Sequence, residues 1–104
     1  MAVVVVATIT PLPEHRDVIR KTLLDTVPRV HDEPGCELYA LHEGESAFVM
    51  IEQWADPGAL AVHSRGAALA DLTAALDGKL AGALDVTTMA ALPAGEPVKG
   101  QLVG

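Results

Sequence analysis

The run Ala2-Val3-Val4-Val5-Val6-Ala7-Thr8-Ile9 constrains the fold more than any other stretch of the chain. Four consecutive valines are too β-branched for a favoured helix. A strand with one face in water would alternate apolar and polar side chains instead of carrying an unbroken apolar run. The run therefore predicts a strand covered on both faces. It lacks the basic flank of a signal peptide and is far too short to span a bilayer.

Pro11 and Pro13 end that strand, and Pro13 suits the first position of a helix, with Glu14 and Asp17 near its positive end. Ile19, Leu23, Val27 and Val30 then recur at four, four and three residues, one apolar stripe, with Arg16, Arg20 and Lys21 expected in water. Pro28 is expected to kink or fray the last turn. In the following "HDEPGCELY", Pro34 disfavours helical geometry at Glu33 and Gly35 can take the positive φ of a sharp exit. Cys36 is then a small buried hydrophobe opening a strand.

Residues 35–55 read as a hairpin around Gly44. A two-residue loop Gly44-Glu45 would set His42 opposite Ala47 and Tyr39 opposite Met50. It would also gather Tyr39, Leu41, Phe48, Met50, Glu52 and Trp54 on one face. Asp56-Pro57 is a helix start, capping aspartate followed by proline, for a short helix 57–64 that carries His63. Leu69, Leu72, Leu76 and Leu80 mark a second helix from about Arg65 to near Gly78, and residues 84–92 a last strand. Residues 93–104, rich in Pro and Gly, read as a tail or an arm that contacts a second subunit.

This order predicts an α+β fold of ferredoxin-like type, βαββαβ with an antiparallel sheet, in one domain over residues 1–92. Both sheet faces are expected to be apolar, Val3, Val5, Leu38, Val49, Ile51 and Val86 on one and Val4, Val6, Leu41, Phe48, Met50 and Met89 on the other. One chain's helices hide one face only, so a homodimer is expected.

Composition removes several function classes. A net charge of −7 repels phosphate and one Phe, one Trp and one Tyr make no stacking platform, so neither nucleic acid nor an anionic membrane is expected as a partner. A single cysteine forms no internal disulfide and fits a cytoplasmic location. No repeated His or Cys spacing, glycine-rich phosphate loop or GxSxG elbow is present, so no metal, nucleotide or flavin cofactor is expected.

Three segments, "VVVVATITPLPEHRD", "HDEPGCELYALHE" and "FVMIEQWADPGALAVH", resemble the antibiotic biosynthesis monooxygenase family over about residues 3–92. The most specific parts are Glu33-Pro34-Gly35-Cys36 with Tyr39, Glu52-x-Trp54, and His63 nine residues beyond the tryptophan. The resemblance implies a dimeric α+β barrel with a pocket in each subunit between sheet and helices. It also implies oxygenation of quinols, phenols or polyketide-like aromatics by molecular oxygen, without flavin or metal. Such chemistry needs a base, donors for an oxyanion and a dry cavity.

His63 is the base candidate, or else ties helix to sheet through a hydrogen bond. Glu52, flanked by apolar residues, orients His63 or takes the substrate proton itself. Trp54 and Tyr39 offer an indole N–H and a hydroxyl, with Phe48, Met50 and Thr8 as further lining. The same scaffold would also serve a non-catalytic small-ligand-binding dimer, or an isomerase or lyase acting on a signalling molecule.

Overall fold

The computed structural model describes residues 1–103. The elements are β1 (Val3–Ile9), a 3-10 turn (Pro13–His15), α1 (Arg16–His31), β2 (Cys36–Glu43), β3 (Phe48–Trp54), α2 (Pro57–Ser64), α3 (Ala67–Leu76) and β4 (Asp85–Ala90). The sheet order is β2-β3-β1-β4, with every neighbouring pair antiparallel, which is the ferredoxin-like arrangement. Two expected boundaries shift: the second helix begins at Ala67, not near Arg65, and the last strand is shorter than 84–92.

The valine run is the centre of the sheet, and Val4 and Val5 are both buried. The stripe of α1 packs on the sheet through Ile19, Leu23 and Val30, all with no exposed surface. Pro28 does not end α1, which continues to His31. Arg16 and Arg20, expected in water, instead hold the β2–β3 hairpin. Both guanidinium groups bind the Glu43 carboxylate, and Arg16 also donates to the carbonyls of Gly44 and Glu45.

That hairpin turns through four residues, Gly44–Ala47, closed by the Gly44 N–H donating to the Ala47 carbonyl at 2.8 Å. Tyr39 therefore faces Glu52 and His42 faces Val49, two residues away from the expected register. Because the loop still holds an even number of residues, the expected grouping of Tyr39, Leu41, Phe48, Met50, Glu52 and Trp54 on one face survives.

The division of the faces between strands does not survive. The pairing Val5↔Glu52 puts Val3 and Val5 on the same side as Phe48, Met50 and Tyr39, whereas Val6 pairs with Ile51 on the other. Directly paired residues share a face, so alternation within each strand was right and its phase between strands was not. All three helices pack on the Val5 side, together with Leu72 and Leu76 of α3. The opposite side carries Val6, Val49, Ile51 and Leu38, half-buried, and Met89, which is 42 % exposed. Around the Val4 corner of that side, Leu92 and Gly100–Leu102 come back to line a shallow concavity with Met89.

Candidate functional site

The site is assembled by the stretch that ends α1 and starts β2. Gly35 takes φ +78°, the left-handed conformation expected of it. A second constraint on this glycine was not legible: a Cβ there would lie 2.5 Å from the Cβ of Ala59 on α2. The Gly35 carbonyl also accepts from the Ala55 N–H at 2.8 Å, which ties the exit of β3 to the entry of β2. Asp56 caps α2 as expected, its Oδ1 accepting from the Ala59 N–H at 2.8 Å. These three contacts fix α2 against the sheet edge and aim His63 inward.

His63 is buried, and its Nδ1 lies 2.7 Å from Oε1 of Glu33. A carboxylate only accepts, so Nδ1–H is the donor of this bond, and in the neutral ring the lone pair then sits on Nε2. The hydrogen bond of the ring is made at Nδ1. The ring stacks on Trp54 at 4.5 Å between centroids and meets the Tyr39 ring edge-on at 5.7 Å. Glu33 is the residue that sequence reasoning missed as a functional group. Its thirty-residue separation from His63 leaves no periodic signal, and Pro34-Gly35 made it look like helix punctuation alone.

Glu52 does not orient His63. Its Oε1 accepts from the Trp54 indole N–H at 3.0 Å. Burial pushes the Glu52 carboxyl above the usual carboxylate range, against the opposing pull of the Trp54 hydrogen bond and of His63. Tyr39 is pushed further above its ordinary value, first by burial and then by the Glu52 charge, so its phenol remains a donor.

Between the sheet and the helices α2 and α3 lies a cavity of about 110 Å³. Tyr39, Glu52, His63 and Ser64 are its polar lining residues, and the rest are aliphatic, among them Met50, Leu60, Leu72, Leu76 and Val86. Of the residues expected to form the site, His63, Glu52, Tyr39 and Met50 line this cavity, and Trp54 backs it by stacking on His63. Phe48 does not line it: the ring is fully buried beneath the guanidinium groups of Arg16 and Arg20, 5.4 and 5.8 Å from its centroid. Thr8 does not line it either, because its pairing with Val49 turns it to the opposite face of the sheet.

Cys36 is half-buried against the core, and desolvation, reinforced by Glu33, raises its thiol above the ordinary value, which suits a packing role and not a nucleophile. Among the described residues no three His, Cys, Asp or Glu side chains converge as metal ligands would, and no helix is long and apolar enough to cross a membrane.

Comparison with solved structures gives Rv0793 from Mycobacterium tuberculosis, 26 % identical, with a TM-score of 0.85 over 92 % of this chain and 100 % of that one. PA3566 from Pseudomonas aeruginosa is 28 % identical with a TM-score of 0.80 over 88 % and 94 % of the two chains. A candidate antibiotic biosynthesis monooxygenase from Caulobacter crescentus is 27 % identical with a TM-score of 0.82 over 88 % and 90 %. No curated protein matches the chain. The profile of the antibiotic biosynthesis monooxygenase family matches residues 2–75, the part that holds Glu33, Tyr39, Glu52, Trp54 and His63, and the chain belongs to that family.

Proposed function

We propose that the protein is a cofactor-independent monooxygenase acting on a small aromatic quinol, phenol or polyketide-like substrate. The observation that supports this most is the pair Glu33–His63, which engages Nδ1 and leaves Nε2 as the ring nitrogen for proton transfer on a histidine that borders an aliphatic cavity. His63 takes a proton from the bound substrate at Nε2. The Tyr39 hydroxyl, which burial keeps protonated, donates to the oxygen that becomes negative, and the Glu52 carboxyl, raised by burial, stands beside it on the neighbouring strand.

The electron-rich anion then reduces O₂ and the two combine as a hydroperoxide, which loses water. For a hydroquinone the balance is C₆H₆O₂ + O₂ → C₆H₄O₃ + H₂O, so the substrate supplies every electron and no further reductant is required. The aliphatic walls keep bulk water from the reactive anion.

Two copies work as a homodimer, joined through the sheet face opposite the helices, because Val6, Val49 and Ile51 on that face have no helix against them. The test of the reaction is oxygen consumption by metal-free protein with a panel of quinols, phenols and anthrones, with product mass read by spectrometry. Uptake of one oxygen atom per substrate is expected. No consumption across the panel would leave a ligand-binding protein in place of an enzyme.

A further inference from the structure

The polar and apolar parts of the cavity are separated along the sheet. Tyr39, Glu52 and Val5 form one row across β2, β3 and β1, and His63 stands over the Tyr39 end of that row. Ile9, which also lines the cavity, lies four residues further along β1, roughly 13 Å away. Leu72 and Leu76 of α3 add to its aliphatic wall. The cavity lining thus extends along the sheet, with Tyr39, Glu52 and His63 gathered towards one end.

Its size sets a second limit. A leucine-lined cavity of about 150 Å³ holds a single benzene ring. At about 110 Å³ the enclosed space here is no larger than one ring needs, so the rest of a larger substrate must leave through the open side. The cavity is open at one side, where Leu84 and Val86 stand at its mouth, 37 % and 58 % exposed. Two exposed aliphatic side chains continuous with a buried aliphatic wall mark a path for an apolar chain that leaves the enclosed space.

We propose that the site selects a single-ring phenol or hydroquinone bearing an alkyl tail. The ring hydroxyl sits at the Tyr39–Glu52–His63 end, and the tail runs past Leu72 and Leu76 and out over Leu84 and Val86. The inference rests on reading this cavity as the substrate site, and it narrows that reading to one shape of substrate. A flexible tail follows this path where a rigid fused tricyclic system does not, and short phenols lose the affinity that the mouth supplies.

Equilibrium binding tests this apart from any turnover. Trp54 is the only tryptophan and stacks on His63, so its fluorescence reports occupancy of the polar end. A series of 4-alkylphenols titrated without oxygen is expected to bind about 3- to 4-fold more tightly per methylene over the first few carbons, with anthrone weaker than 4-pentylphenol. Val86→Glu and Leu84→Glu, both at exposed positions, should flatten that chain-length dependence.

An affinity independent of chain length, or anthrone binding more tightly than every alkylphenol, overturns the proposal. So does a Val86→Glu protein that loses its oligomeric state but keeps the wild-type chain-length dependence, since the mouth is then a subunit contact. A graded series in a protein that consumes no oxygen with alkylhydroquinones overturns the monooxygenase reading and leaves the ligand class standing.

Discussion

A buried histidine performs only the proton chemistry its free ring nitrogen allows, and Glu33 decides which nitrogen is free. His63→Ala should slow turnover by about 10² to 10⁴-fold with the fold intact, measured as oxygen consumption beside a circular-dichroism melt. Glu33→Gln keeps the size of the partner but no longer enforces the tautomer. It should lower kcat by less than His63→Ala while leaving KM nearly unchanged, and a change confined to KM would make Glu33 a binding group. Glu52 carries a stability signature instead. Its folded carboxyl is raised above the ordinary 4.5, so the folded state holds the proton longer, and stability falls as pH rises from there. Glu52→Gln should remove that fall, so the variant gains on the wild type in denaturant melts as pH rises above 4.5. A constant difference across that range would show the carboxyl to be solvated.

At the scale of elements, the turn from α1 into β2 is the joint on which the site depends. Gly35→Val meets both a disfavoured backbone region and the Ala59 methyl, so it should cost about 2 to 4 kcal/mol. A Tm lower by roughly 10 °C or more is expected, and an unchanged Tm would show that α2 moves away freely. The hairpin clamp is a separate device. The Arg20 hydrogen bonds, followed by those of Arg16, hold the Glu43 carboxyl down at about 2. A depressed carboxylate stabilises above its unfolded value of 4.5 and loses that contribution as pH falls through about 2. The Tm gap between wild type and Glu43→Gln should therefore be full at pH 6 and close towards pH 2. Most of this scale was legible beforehand: Asp56-Pro57, Gly35 and the α1 stripe act within a few residues, where residue type fixes backbone geometry. The clamp was not, because Arg16 and Glu43 are twenty-seven residues apart.

For the whole molecule, the sheet face opposite the helices is the deciding surface. Val6, Ile51 and Ala40 form a row across β1, β3 and β2 with no helix against them. Light scattering at micromolar concentration should give twice the chain mass of 10.8 kDa. Ile51→Asp places a charge in that row and should yield monomer or loss of folded protein. A wild type that is monomeric and fully folded would defeat the homodimer, and the exposed Met89 would then need another explanation.

The sequence by itself determined what depends on short-range periodicity: a β-branched run too apolar for a one-sided strand, the order βαββαβ, the capped start of α2, the left-handed exit at Gly35, and which residues of the hairpin share a face. Alternation has a period of two, so it survives an even error in loop length, which is why Tyr39, Met50, Glu52 and Trp54 were grouped correctly although the register was two residues off. Only the tertiary structure decided the phase of one strand against another. That phase turned Thr8 away from the cavity, and the clamp of Arg16 and Arg20 took Phe48 as its floor. It also brought Glu33 to His63 across thirty residues, while the expected partner, Glu52, bonded to Trp54 two residues away. Local backbone preferences act over a turn or a strand, but a contact between distant segments is chosen by the packing of the whole core, which no window of sequence contains.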